Sequence, residues 1–264
     1  MRTIGREQLE KEFAEHSALF FTPDGILVET ATGSPVVPLS KTIQKFGLQV
    51  LTIYLDRTTL LVSCPSPDPE AFGHQFHISS PKSFLQGPTP HASQVLRATH
   101  WMTWDRMVQC CSQCGGALEK IPDRAEKKCT ACHVPFFPNL APAVMVLVQR
   151  GNEVLLARSP HFKPGIYSAL AGFIDLGETA EEASHREVQE EVGIEISNLQ
   201  YFGSQSWPFP GSFMIAFTAD YLRGELCIDY AELEDAQWFS LNNLPALPPH
   251  SSISRKLIDM QNPK

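Results

Sequence analysis

The chain has 264 residues, 21 Lys and Arg against 29 Asp and Glu, a net charge of −8, 43% hydrophobic residues and 19% charged ones. This is the composition of a soluble globular protein with room for one to three domains and a sizeable core. The acidic balance excludes a non-specific polyanion binder, whose affinity would rest on surplus Lys and Arg.

The first residues carry no apolar core of signal-peptide length, and no run approaches the ~18 apolar residues that cross a bilayer. Asn262-Pro263-Lys264 is not a peroxisomal address. No membrane association and a cytoplasmic location are expected. Residues 1–108 read as a small α+β domain without a catalytic motif. A short helix is predicted over Arg6–His16. Strands are predicted at Ala18–Phe21, Gly25–Glu29, Leu48–Leu55 and Thr59–Ser63, which are rich in β-branched and aromatic residues. Asp24-Gly25 suits a hairpin turn and Asp56-Arg57 a tight connection. A helix is predicted from His91 to Val108, with Val95, Ala98, Trp101, Met102, Trp104 and Val108 on one side. No internal repeat is visible.

Five of the seven Cys fall between positions 110 and 132, which suggests a metal site and not a disulfide frame. Cys111-x2-Cys114 and Cys129-x2-Cys132 are two knuckles with fourteen residues between them. Four thiolates make the tetrahedral set that Zn²⁺ prefers, a closed and structural site. Cys110 and His133 compete as ligands, but only Cys111 gives matched two-residue gaps. Cys64 and Cys227 read as ordinary buried thiols. The intervening loop mixes Lys120, Arg124, Lys127 and Lys128 with Glu119, Asp123 and Glu126. The ribbon, residues 109–138, is therefore scaffold first and RNA contact second.

From residue 139 to 264 the pattern is α/β. Strands are predicted at Ala143–Arg150 and Glu153–Arg158 around a Gly151-Asn152 turn, then at Tyr167–Leu170 and Phe173–Asp175 on either side of Gly172. Further strands are predicted at Ile194–Ser204, Ser212–Tyr221, Glu225–Ile228 and Gln237–Phe239. A last helix over Ser252–Met260 turns Ile253, Leu257 and Ile258 inward. Between the strands, Thr179 and Glu182 form a capping box, and Gly193 offers a left-handed stop. On the helix so bounded, Glu187, Glu190 and Glu191 share a face within about a turn, where like charges repel by roughly 0.2–0.5 kcal/mol per pair. A hard divalent cation accounts for carboxylates so placed, because Mg²⁺ takes carboxylate and phosphate oxygens together. A solvated acidic face is the plain alternative.

Gly172, Glu178, Arg186, Glu187, Val188, Glu190, Glu191, Gly193 and Ile194 fill every fixed position of G-x5-E-x7-R-E-U-x-E-E-x-G-U, where U is apolar. The stretch resembles the Nudix box, which in its family binds Mg²⁺ or Mn²⁺ against a diphosphate. Ten residues on, Ser204-Gln205-Ser206-Trp207-Pro208-Phe209-Pro210-Gly211-Ser212 is a stiff loop that presents aromatic faces. It resembles the SQPWPFPxS motif of the NADH pyrophosphatase branch of the Nudix family, which also removes NAD caps from RNA. Ser206 stands where that motif has Pro. The four-Cys ribbon and the N-terminal domain are that branch's other features.

The resemblance implies a Nudix α/β/α sandwich behind a zinc ribbon and a small N-terminal α+β domain. It implies that Glu187, Glu190, Glu191, Glu232 and the carbonyl of Ala171 hold Mg²⁺ or Mn²⁺, and that Glu190 or Glu191 takes the proton from water. It further implies one structural Zn²⁺ per subunit. Phe173 is expected to stack on nicotinamide, and Trp207 to reach the site of a partner in a homodimer. Residues 205–212, Phe137, Glu232 and Ser254 are expected at the substrate; Phe137 replaces a family Tyr, so a hydroxyl contact is lost. The implied reaction is cleavage of NADH or NAD⁺ into nicotinamide mononucleotide and AMP, and removal of the NAD cap from RNA to leave a 5′-monophosphate. The alternatives are a broader dinucleotide or ADP-sugar pyrophosphatase and a catalytically dead zinc-ribbon RNA-binding protein. The Trp-Pro-Phe-Pro loop argues against the first and the intact box against the second.

Overall fold

The second half of the chain is built on one strand with two buried faces. The computed structural model describes residues 16–22, 24–38, 52–56, 59–63, 73–85, 91–121, 124 and 126–261. They divide into two units, residues 1–84 with 88–139 and residues 85–87 with 140–264.

In the second unit, strand β10 (Ala141–Arg150) is buried continuously from Ala143 to Val148. Such a run requires cover on both sides of the sheet, and two helices supply it. Val146 and Val148 pack with Val188 and Val192 of helix α2 (Ala180–Val192). Met145 and Leu147 pack with Ile253, Leu257 and Ile258 of helix α3 (Ile253–Gln261). The result is an α/β/α sandwich, the expected fold class. Around β10 the sheet runs β13 (Glu195–Trp207), β14 (Ser212–Arg223), β10, β11 (Glu153–Arg158) and β15 (Asp235–Ser240). β12 (Leu170–Phe173) also pairs with β10, and it runs unbroken through Gly172 where two flanking strands were predicted. β10 and β14 are parallel; every other pair is antiparallel.

The predicted strand at Glu225–Ile228 is absent. Cys227 N donates to the Val192 carbonyl and Asp229 N to the Glu191 carbonyl. The segment thus satisfies the open C-terminal carbonyls of α2 and not a sheet edge, and Cys227 is exposed, not buried as expected.

The first unit holds β1 (Ser17–Thr22), β2 (Gly25–Glu29), β3 (Val36–Pro38), β4 (Thr52–Asp56), β5 (Thr59–Ser63) and β6 (Phe76–Ser79). β3 and β6 had no sequence signal strong enough to predict them. The predicted helix at Arg6–His16, the start of the Leu48–Leu55 strand, Arg57 and Cys64 lie wholly or partly outside the described residues. Leu19, Phe21, Ile26 and Val28 turn one face to Val95 and Ala98 of helix α1 (Ala92–Met107).

This sheet corrects the expectation of no internal repeat. Its order is β4-β5-β1-β2-β6 with β3 on β1, and β1 and β5 are its parallel pair. Adding nine to each strand number gives the order and the pairing sense of the second sheet. The chain carries one strand topology twice, and the acidic helix only in the second copy's sequence.

A three-stranded sheet of β7 (Leu118–Lys120), β8 (Lys127–Cys129) and β9 (Pro135–Phe136) carries the cysteine knuckles within the first unit. Buried Lys127 fastens it to α1. Its Nζ donates to the carbonyls of Asp105 and Val108 at 2.7 and 2.6 Å and pairs with Asp105 Oδ1 at 3.0 Å. A cation on the last carbonyls of a helix is placed favourably for the helix dipole.

Candidate metal and substrate site

The acidic helix forms where the sequence puts it. Thr179 Oγ1 accepts from Glu182 N at 3.1 Å, and the Glu182 carboxylate accepts from Thr179 N at 2.8 Å. Gly193 closes the helix in the left-handed region, φ 72°. The bounds matter because they set which carboxylates turn inward.

Glu187 and Glu191 are one turn apart, and both are buried. The chain after β14 then turns back along α2. The Asp229 N bond to the Glu191 carbonyl and the buried side chain of Leu233 hold that turn, which delivers Glu232 to the same place. One carboxylate oxygen from each of Glu187, Glu191 and Glu232 lies within 4.8 Å of the others. Glu190 is not in this group. It is exposed, with its carboxylate 2.9 Å from Arg186 Nη1.

Burial and the neighbouring charges of Glu187 and Glu232 push the Glu191 carboxyl up to about 8. Burial raises Glu187 as well. Glu191 Oε2 is buried and has no hydrogen-bond partner among the described residues. Three mutually repelling carboxylates with an unpaired buried oxygen are unfavourable alone and suit a divalent cation with oxygen ligands.

Arg186 braces the site. Its Nε and Nη2 meet both oxygens of Glu178 at 2.6 and 2.7 Å, Nη1 meets Glu187 at 2.8 Å, and Nη2 donates to the Phe173 carbonyl at 2.8 Å. Arg186, aided by the Asp175 backbone amide, holds Glu178 down at about 2. Glu178 matched the motif without an assigned role; its spacing from Arg186 was the signal. Gly172 explains the opening position of the motif. A Cβ there would stand 1.8 Å from Glu187 Cδ, so only a bare Cα lets that carboxylate through.

The expected substrate residues separate into two kinds. Ala171 and Phe173 are exposed on β12, and Phe137 is exposed in the first unit. In the loop, Trp207 and Phe209 meet edge-to-face with centroids 5.6 Å apart, and both are half-buried. Gly211 is held by Ala141 N at 2.9 Å, and Ser212 is buried opposite Trp207. Ser206 is half-buried, Pro208 buried and Pro210 exposed. Gln205 and Ser254 instead turn into the protein. Gln205 binds Ser251, just before the last helix, and Ile253 at its start, and Ser254 is buried against Ser168 and Ala169.

The four expected cysteines assemble in the first unit. Their Sγ atoms lie within 4.8 Å of one another, with Cys111–Cys132 and Cys114–Cys129 both at 3.5 Å. A Cβ on Gly116 would sit 3.1 Å from Cys129 Sγ and 3.3 Å from Cys114 Sγ, so the backbone closes over the sulfurs. The Cys132 backbone amide, and after burial's opposing effect the other nearby donors, hold the Cys129 thiol down at about 6. This donor set fits Zn²⁺. Cys110 and His133 are exposed and stand outside the cluster.

Residues 139–261 match the NUDIX domain. A protein of Pseudomonas aeruginosa named NAD-capped RNA hydrolase NudC is 50% identical over 157 residues, a match covering 60% of this chain and 56% of that protein. One of the same name from Stutzerimonas stutzeri is 45% identical over 180 residues, covering 68% and 65%. The matched part of the chain thus spans little more than half to just under two thirds of these relatives. A crystal structure of a NUDIX hydrolase from Nitrosomonas europaea is 23% identical and covers 58% of this chain and 88% of its own, with a TM-score of 0.47. Among the described residues, no helix is long and apolar enough to cross a membrane. Through residues 139–261, just under half of its length, the chain is similar to the NUDIX domain family.

Proposed function

We propose that the chain hydrolyses the pyrophosphate bond of NADH or NAD⁺ to nicotinamide mononucleotide and AMP, and removes the NAD cap from RNA to leave a 5′-monophosphate. The observation that carries this is the meeting of Glu187, Glu191 and Glu232 within 4.8 Å on a NUDIX domain. The names of the Pseudomonas and Stutzerimonas relatives support the substrate.

Glu187, Glu191 and Glu232, with the Ala171 carbonyl, would hold Mg²⁺ or Mn²⁺. When bound, the ion supplies Lewis acidity to the phosphate oxygens and lowers the pKa of water. Glu191 Oε2, unpartnered and buried, accepts the proton of the attacking water. Glu190, the other residue expected in that role, works at one remove by holding Arg186, which orients Glu187. Phe173 stacks on the nicotinamide. Cys111, Cys114, Cys129 and Cys132 hold one structural Zn²⁺. An N-terminal domain over 1–108, a ribbon over 109–138 and a hydrolase domain over 139–264, working as a cytoplasmic homodimer, complete the proposal.

A side-by-side rate comparison on NADH, ADP-ribose and NAD-capped RNA tests it. NADH and capped RNA should be cut faster than ADP-ribose. A preference for ADP-ribose would favour the broader pyrophosphatase.

A further inference from the structure

The three carboxylates of the candidate metal site reach it in two ways. Glu187 and Glu191 stand on α2, where the capping box sets the helix and the bare Cα of Gly172 admits Glu187. Glu232 is exposed on the turn between β14 and β15, so its place depends on what holds the ends of that turn. One end is tied to α2. Asp229 N donates to the Glu191 carbonyl at 2.9 Å, and the Asp229 carbonyl accepts from Glu232 N at 3.1 Å and from Leu233 N at 3.0 Å.

The other end is tied by Arg158, the last residue of β11. Its carbonyl accepts from Glu234 N at 2.8 Å, and its guanidinium Nη2 pairs with the Glu234 carboxylate. Arg158 lies opposite Asp235 in the β11–β15 ladder, and Asp235 accepts from the Tyr167 hydroxyl. Both ties lead back toward β12. Ala157, next to Arg158, exchanges two hydrogen bonds of 2.9 Å with Ser168, next to Tyr167. Ser168 is three residues before Ala171 and four before Gly172. One short path of bonds thus relates Glu232 to the strand against which Glu187 is set. Arg158 Nη1 is buried without a partner among the described residues. An unpaired buried N–H costs stability, so stability alone does not account for an arginine here.

We infer that Arg158 is a positioning residue for the metal: it holds Glu234, and through it sets Glu232 within reach of the ion shared with Glu187 and Glu191. The inference rests on the reading of the carboxylate cluster as a Mg²⁺ or Mn²⁺ site and adds to it the residue that brings the third carboxylate into place. Charge and position predict opposite signs here. A guanidinium repels a cation, so its removal should by charge alone tighten metal binding. Release of Glu234 should loosen it.

The test is Mn²⁺ titration of the full chain, followed by electron paramagnetic resonance, for wild type, Arg158→Gln, Glu234→Gln and the double variant. Loss of a residue that orients a metal ligand typically costs about tenfold or more in affinity, so Kd for Mn²⁺ should rise about tenfold in Arg158→Gln. Its circular-dichroism signal should match wild type. The losses in the double variant should not multiply, because both residues act through one contact. Arg158→Lys keeps the charge and loses the fork, so it should fall between. On NADH, kcat/KM at limiting Mg²⁺ should fall in parallel and return toward wild type at saturating Mg²⁺. If Arg158→Gln does not fold, Arg158→Lys decides on the same criterion. Unchanged or tighter Mn²⁺ binding in the folded variant, or losses that multiply in the double variant, overturns the inference and leaves the metal site standing. No Mn²⁺ binding by the wild type overturns both.

Discussion

Gly172 and Glu187 occupy the same space, one by having no side chain and the other by filling the vacancy. A Cβ on Gly172 would fall 1.8 Å from Glu187 Cδ and 2.0 and 2.2 Å from its oxygens. The glycine is needed for this approach, since its φ lies outside the left-handed region. Gly172→Ala should therefore leave the backbone at ease and expel the carboxylate. A misplacement of about 1 Å in a catalytic group can cost ~100-fold in rate. We expect a loss of that order in kcat/KM on NADH with the helical circular-dichroism signal retained. A variant within a few-fold of wild type would show that Glu187 does not need its present position.

Metal binding should depend on pH with a definite sign. Glu191 is raised to about 8 and Glu187 is raised too, so protons compete with the ion below that range. Mn²⁺ affinity, followed by electron paramagnetic resonance, should rise as pH climbs toward 8, by up to about tenfold per unit. Glu191→Gln should flatten the profile. In the metal-free chain, a raised carboxyl contributes stability that is present below its ordinary value and is lost as pH rises to about 8. Added Mg²⁺ should cancel that loss in a thermal melt.

Arg186 joins Glu178, Glu187, Glu190 and the Phe173 carbonyl through one planar guanidinium. A lysine cannot reproduce the fork. Arg186→Lys should lower stability by about 1–3 kcal/mol, the scale of lost charge-assisted hydrogen bonds, and should lower kcat more than it raises KM. Denaturant unfolding and NADH kinetics check the two parts.

Zinc content separates the adjacent cysteines. Cys111→Ser should leave less than one zinc per chain by elemental analysis, and Cys110→Ser should leave it unchanged. Unchanged zinc after Cys111→Ser would move the ligand to Cys110.

Much of this was legible because it is local. The capping box, Gly193, the hairpin at Gly151-Asn152 and the paired cysteine knuckles each depend on a few neighbouring residues, and each formed as read. What the sequence could not decide depends on distant partners. Three glutamates shared a helix face, but only packing against β12 and the turn at Asp229 selects Glu187 and Glu191 over Glu190. Cys227 and its neighbours carry strand-like residues, yet the end of α2 takes their amides. The doubled strand topology left no mark in residue identity, because a sheet order is fixed by pairing across long separations. Gln205 and Ser254 matched expected substrate positions, and only three-dimensional contacts showed where their polar atoms go.

The central claim is that the Glu187, Glu191 and Glu232 cluster drives water onto a phosphoanhydride with a divalent ion. Mg²⁺-dependent release of AMP from NADH, compared between wild type and Glu191→Gln, tests it most directly. The account predicts AMP and nicotinamide mononucleotide from the wild type and a rate reduced by at least about a hundredfold in the variant, the usual minimum for a lost proton acceptor. Equal rates in the two proteins would contradict it.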